Sequence, residues 1–336
     1  MKTIYKILFI NGRTFYPNPF ITTLAHGIAS EYYLIESGVK EFWEMKNAYD
    51  IIHVNWPELF FEQKIFTEER LLMLSEALKK WKQRGTKIVF TRHDEKTHYV
   101  HDVNYQKLFQ IMETVADGIA HLGQYSKDSF MQKHPFSKQL HHVIPHHTYD
   151  TLYTNNISKR VARKAINIPL NKVVIMSFGA FRHIEEYLLV KDCFEYLNLS
   201  NKFLFVPSWN WGNDYSMKDC YLGRGSVDED MLPYCFAACD IVFIQRLRLL
   251  NSGNVPLAFL FNKTIVGPNI GNIGEILDNI NNFSFDPFKK ESINKVMNMA
   301  VERLSKGQQV NEEYARRNLK TSLICDKYRS FYKSLM

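Results

Sequence analysis

The sequence predicts an α/β protein built from two doubly wound, mainly parallel sheets. Three observations carry that reading. Short apolar runs closed by turn residues alternate with longer amphipathic stretches, which is the pattern of strands and crossover helices. The alternation fails once, in a polar stretch over residues 151–170 that contains Asn155-Asn156, and then resumes. The chain has 336 residues, 46% of them hydrophobic, which is more than the roughly 250 to 300 residues that a single core serves.

The first strand is 7–10, stopped by Asn11-Gly12-Arg13, and a helix over 22–30 follows. A buried strand over 51–54 leaves at Asn55-Trp56-Pro57-Glu58. Residues 67–84 read as a helix: Glu68 and Glu69 suit the positive end of its dipole, Lys79, Lys80, Lys82 and Arg84 the negative end, and Gly85 closes it. Strand 87–91, helix 105–115, strand 118–122, helix 126–133 and strand 142–145 complete the first half. After a short basic helix around Arg160, Arg163 and Lys164, the second half runs as strand 173–179, helix 185–197 and strand 203–206. It continues with helix 228–239, strand 241–244, helix 253–261, strand 264–266, and helices 273–280 and 291–305. Residues 311–335 read as one long basic helix. Two such halves would place a cleft at the carboxyl ends of their strands.

Lys and Arg exceed Asp and Glu by 42 to 35, a net charge of +7, which fits anionic partners in general. No nucleic-acid module accompanies the charge, so nucleic acid is not expected as a partner. Two basic stretches, 79–84 and 316–333, carry cations beside aromatics and suit an anionic bilayer surface. The five cysteines are an odd number with no CxxC pair, which favours reduced thiols; Cys235 and Cys239, one helical turn apart, read as structural. The apolar run at 7–10 is too short for a signal sequence or a membrane span, so the expected location is cytoplasmic.

The segment 248–258, Arg-Leu-Leu-Asn-Ser-Gly-Asn-Val-Pro-Leu-Ala, follows a strand and opens a helix. Asn251 or Ser252 would cap it, Gly253 lets a ligand approach the backbone, and the N–H groups of the first turn favour a phosphate. Asp240-Ile-Val-Phe-Ile precedes it, and Val266-Gly267-Pro268 and Gly271-Asn-Ile-Gly-Glu275 follow. In the first half stand Asp50-Ile-Ile-His53-Val-Asn-Trp56-Pro57, Lys87-Ile-Val-Phe-Thr91-Arg-His93-Asp94 and His142-Val-Ile-Pro-His146. In order and spacing this series resembles bacterial glycosyltransferases of the GT-B fold, the group 1 or family 4-like enzymes of surface polysaccharide synthesis.

The resemblance implies two Rossmann-like domains facing across a cleft: an acceptor-binding domain over 1–150, a linker over 151–170, a donor-binding domain over 171–315, and a helix over 316–336 that crosses back to the first domain. It implies Arg182, two residues beyond Gly179-Ala180, as the cation on the donor diphosphate. Asn251, Ser252, Gly253 and Asn254 would cradle that diphosphate, Glu275 would accept from ribose or sugar hydroxyls, and the loop 221–225 with Arg224 would hold the base. Asn11, Gly12, Arg13, Trp56 and Glu58 would meet the acceptor. Two departures stand out. Glu185 and Glu186 occupy the region where a lysine is common, and Leu250 and Ala258 stand where many retaining members carry glutamates. The diphosphate must then be held by fewer charges, or by Arg246 or Arg248.

For the chemistry itself, His93, Asp94 and Glu95 lie at a strand's carboxyl end, and any of the three could take a proton from an acceptor hydroxyl. Histidines 93, 98, 101, 141, 142, 146 and 147 match no zinc spacing. Asp228-Glu229-Asp230 resembles a metal-binding acidic motif, but Ser226 followed by Glu229 reads as a capping box. Phe15, Tyr16, Phe20, Trp209 and Trp211 could stack on sugars. The resemblance therefore implies a metal-independent hexosyltransferase without cofactor, moving sugar from a nucleoside-diphosphate sugar to a glycan acceptor, lipid-linked in surface polysaccharide synthesis. A nucleotide-sugar epimerase or a non-catalytic nucleotide-sugar-binding protein are the rivals.

Overall fold

A computed structural model describes residues 4–11, 18–61, 65–95, 103–209, 218–279, 282–307 and 311–336. The chain divides into two compact units, residues 1–146 with 321–336, and residues 147–320. Gly12, Arg13, Phe15, Tyr16, His98, His101 and Trp211 lie outside the described residues.

The first unit runs β1 (Tyr5–Ile10), α1 (Pro19–Ile28), β2 (Tyr33–Ser37), α2 (Lys40–Glu44), β3 (Ile51–Val54), α3 (Glu68–Gln83), β4 (Lys87–Arg92), α4 (Val103–Val115), β5 (Gly118–His121), α5 (Gln124–Lys133) and β6 (Leu140–Val143). Its strands form one parallel sheet in the order β2-β1-β3-β4-β5-β6. Because side chains alternate along a strand, one face of the sheet presents Leu8, Ile10, Ile52, Val54, Ile88 and Phe90 to a core completed by Phe42, Leu74, Leu78 and Trp81. Trp81 is wholly buried and donates its indole N–H to the Phe42 carbonyl, 3.1 Å. The expected bilayer-facing stretch 79–84 therefore loses its aromatic to the core, while Lys82 pairs with Asp117 at 3.0 Å and Arg84 donates to the Met45 carbonyl.

The second unit runs α6 (Lys159–Ala165), β7 (Val173–Met176), α7 (Ile184–Tyr196), β8 (Lys202–Trp209), β9 (Cys220–Arg224), α8 (Leu232–Ala238), β10 (Ile241–Phe243), α9 (Asn254–Leu260), β11 (Thr264–Pro268), α10 (Gly271–Asn279), β12 (Phe283–Phe285), α11 (Lys290–Ser305) and α12 (Asn311–Tyr314), the last continued by a π turn over Ala315–Leu319. The sheet order is β12-β11-β10-β7-β8-β9, again parallel throughout. Residues 159–165, expected within a linker, are packed into this unit. Arg163 is buried, donates to the Ala238 carbonyl at 2.8 Å and pairs with Asp240 at 2.6 Å.

Three expectations are corrected. Residues 221–225 are not a loop: β9 lines the sheet edge, and a side chain at Gly223 would collide with the Pro207 carbonyl. The capping box at Ser226 does not form. Glu229 instead accepts from the Tyr153 hydroxyl at 3.1 Å, and the helix begins only at Leu232. The C-terminal helix is not continuous, because Lys320 leaves helical geometry at φ −57°, ψ 136°; α13 (Thr321–Leu335) then joins the first unit.

On the other face of the first sheet, α13 is pinned by buried polar groups. His53 Nδ1 lies 2.6 Å from the Tyr332 hydroxyl and its Nε2 2.7 Å from the Thr91 hydroxyl, which meets the Tyr328 hydroxyl at 3.1 Å. Gly118 admits the helix: a Cβ there would lie 2.7 Å from the Phe331 ring. The apolar stripe of α13, with Ile324, Tyr328, Phe331 and Tyr332 buried, is thus packed into the first unit. No helix among the described residues is long and apolar enough to cross a membrane.

Burial pushes His53 down to about 3, and burial, with His141, Arg92 and Lys127 nearby, pushes His121 down to about 3. Both rings are neutral when folded, whereas the unfolded chain takes up a proton near pH 6.5. The unfolded state therefore binds more protons below that value, and stability falls as the pH drops. Between pH 7.5 and 5.5 the first unit loses about 2 to 3 kcal/mol on this account. Urea unfolding followed at Trp81 checks it; coincident midpoints at the two pH values would refute it.

Candidate functional site

In a doubly wound sheet the ligand crevice opens where neighbouring strands send their connections to opposite faces. In the second unit that point lies between β7 and β10, and the loops that follow these two strands are tied together by side chains. Gln245 Nε2 donates to the carbonyls of Phe178 (3.2 Å) and Gly179 (3.0 Å). Asn254 Nδ2 donates to the Phe178 carbonyl at 2.8 Å. Arg246 Nη1 donates to the Ala180 carbonyl at 2.8 Å and pairs with Glu186 at 2.6 Å. Glu186 also accepts from the Arg182 backbone N–H at 3.0 Å.

The expected donor residues occupy this end of the sheet unevenly. Gly179, at φ 92°, and Arg182 lie on the β7–α7 loop, and 251–254 follow β10. Neither Asn251 nor Ser252 caps α9; the cap position is Gly253, with no side-chain bond. The reason is competition. Asn251 Oδ1 accepts from Asn272 Nδ2 at 2.7 Å, which ties the β10 and β11 loops together, and Asn254 is held by Phe178. Glu275 lies in the second turn of α10, and its charge adds to burial in raising the pKa of Tyr314. Arg224 is exposed at the end of the edge strand β9, with β8 between that strand and β7.

In the first unit the corresponding switch lies between β1 and β3. Asn11 ends β1, Trp56 and Glu58 follow β3, and His93 to Glu95 follow β4. His93 is 7% exposed and stacks on Trp56, ring centroids 4.1 Å apart at 20°. Phe20 meets His93 edge-on at 4.8 Å and also touches Trp56 and His146. His93 Nε2 lies 3.2 Å from Asn55 Oδ1. Glu58 bonds the Tyr105 hydroxyl, which raises the pKa of that phenol beyond the effect of its burial, with Asp94 adding to the same direction. Glu95 has a different setting. It pairs with Arg92 at 3.2 Å and Lys133 at 3.4 Å and accepts from the Ser129 hydroxyl. Burial alone would raise its pKa, but Ser129, Arg92 and Lys133 together lower it. Among the described residues no group of three or more His, Cys, Asp or Glu converges as metal ligands.

No family model and no curated protein matches the sequence. Solved structures do match it over its whole length. HepE of Anabaena, solved in complex with UDP-glucose, aligns over 98% of this chain and 100% of its own, with a TM-score of 0.72 and 14% identity. Sucrose-phosphate synthase from Thermosynechococcus elongatus aligns over 98% and 99%, with a TM-score of 0.71 and 10% identity. The chain has the GT-B fold. A Listeria monocytogenes protein described as a UDP-N-acetylglucosamine 2-epimerase shares it, at a TM-score of 0.64 and 9% identity over 99% and 96%.

Within this GT-B chain, the two arginines named as substitutes for the missing lysine are already paired. Arg246 is bound to Glu186, and Arg248 lies 3.5 Å from Glu185. Sequence reasoning missed Asn55, Gln245 and the part played by Glu186. A polar residue directly after an apolar strand run, as Asn55 and Gln245 both are, was the available signal.

Arg92, 2% exposed, is compensated by Glu95 and Glu113 together. Glu95→Gln should therefore cost the first unit about 1 to 3 kcal/mol, since one partner of a buried cation loses its charge. Chemical denaturation measures this, and a variant as stable as the parent would assign Glu95 to the site instead of to the ion network.

Proposed function

We propose that the protein transfers a sugar from a nucleoside-diphosphate sugar to an acceptor hydroxyl. The observation that carries this is the polar loop set at the β7/β10 switch, where Gly179, Arg182 and residues 251–254 lie on neighbouring loops. Arg182 suits the diphosphate because a guanidinium stays charged and can grip two oxygens at once. The bond from the anomeric carbon to the diphosphate oxygen breaks, its electron pair leaves with the diphosphate, and positive charge at the loop stabilises that developing charge. The acceptor oxygen forms the new bond and gives its proton to His93 or Asp94.

HepE, carrying UDP-glucose in its crystal, supports a uridine nucleotide as donor. A lipid-linked glycan of surface polysaccharide synthesis extends the proposal on the acceptor side. That extension rests on the sequence resemblance, as do metal independence and work at the inner membrane face. The epimerase reading is favoured by the Listeria neighbour, and the two differ in what releases nucleotide.

UDP should raise the melting temperature of the protein, because a ligand that binds only the folded state stabilises it. Arg182→Ala should weaken UDP binding about tenfold or more; undiminished affinity removes the arginine from the donor site. His93→Ala and Asp94→Asn should keep UDP affinity, and whichever is the base should lose about 100-fold or more in turnover. Nucleotide release that needs no glycan acceptor and accompanies epimerised sugar would decide for the epimerase.

A further inference from the structure

The carbonyls of Phe178, Gly179 and Ala180 are each captured by side chains that follow β10. In a trans peptide the N–H is antiparallel to the carbonyl of the same plane, and the described backbone has no cis peptide. Each of these carbonyls shares a peptide plane with the amide of the next residue, so their capture fixes the planes that carry the amides of Gly179, Ala180 and Phe181. The conformation needs its glycine. At φ 92° Gly179 lies where side chains are disfavoured, and a Cβ there would lie 3.0 Å from Arg246 Nη2.

The clamp has a buried electrostatic centre. Glu186 is 2% and Arg246 8% exposed, and one carboxylate oxygen, Oε2, takes both the Arg246 guanidinium and the Arg182 backbone N–H. Arg246 is thus charge-compensated, with its Nη1 committed to a carbonyl and a carboxylate. Glu186 is in the first turn of α7, where the helix dipole favours an acid.

We infer that Glu186 and Arg246 form a positioning pair that presets the 178–182 loop, so that main-chain amides and Arg182 meet the donor diphosphate while Arg246 itself does not touch it. This rests on the donor-site reading above. It gives the missing lysine a specific replacement: a preordered set of neutral donors in place of a second exposed cation.

The test uses the full chain, UDP, uridine and inorganic pyrophosphate, with calorimetry at two salt concentrations and NMR amide exchange at residues 179–181. Arg246→Lys keeps the charge, but the shorter side chain ends short of the Nη1 position from which both the Ala180 carbonyl and Glu186 are reached. It should weaken UDP and pyrophosphate about tenfold, change uridine affinity less than about twofold, keep the salt dependence, and speed exchange of the 181 amide most. Glu186→Gln should also weaken UDP, without any gain. UDP affinity within twofold of the parent in Arg246→Lys overturns the pair. So does tighter UDP binding with a steeper salt dependence in Glu186→Gln, because Arg246 would then be a phosphate ligand. A parent protein that binds neither UDP nor pyrophosphate overturns the donor reading and the inference with it, an outcome distinct from either variant result. Should Arg246→Lys not fold, Gly179→Ala presses on the clamp from the opposite side and is read in the same way.

Discussion

Everything functional in this chain follows from one constraint on parallel sheets. All strands of a sheet end on the same edge, and a sheet wound in both directions from its first strand leaves a gap between the two connections that diverge there. The first unit reverses between β1 and β3, the second between β7 and β10. Asn11, Asn55 and Trp56 fall at the first reversal, and Gly179, Arg182 and Gln245 at the second. These polar residues follow apolar strands because the strand ends are where the chain leaves the core.

The two reversals are furnished differently. The second is electrostatic: arginines are set against α7 acids, and side chains that follow β10 hold the carbonyls of residues 178–180. The first is aromatic, with His93 enclosed by Trp56 and Phe20 and with His146 behind Phe20. On the proposed function, the former would meet the ionic leaving group and the latter the apolar ring face of a sugar acceptor.

Much of the fold was legible because its strands are fully buried and so read as uninterrupted apolar runs; β1, β3, β4, β7 and β10 are of this kind. The edge strands β2 and β9 were not, because an edge faces water and mixes its residues. Tyr-Leu-Ile-Glu-Ser of β2 and Cys-Tyr-Leu-Gly-Arg of β9 carry polar or glycine positions that resemble loop. Trp81 looked like a surface residue among lysines, yet it continues the stripe Leu71, Leu74, Leu78 at helical spacing. His53 matched a motif beside candidate site residues, whereas its part is to hold Tyr332 and Thr91 inside the core. The Glu186–Arg246 pair was not readable at all, since its members stand 60 residues apart and meet only when β7 and β10 lie side by side.

The surroundings of His93 bear on how it could act. An amide oxygen only accepts, so Asn55 Oδ1 at 3.2 Å places the ring hydrogen on Nε2 and the basic lone pair on Nδ1. Stacking on Trp56 and the edge-on ring of Phe20 hold the plane of the imidazole. His93 is therefore held in orientation and tautomer by Trp56 and Asn55, which follow β3 at the same edge of the sheet, whereas Glu95 is committed to Arg92.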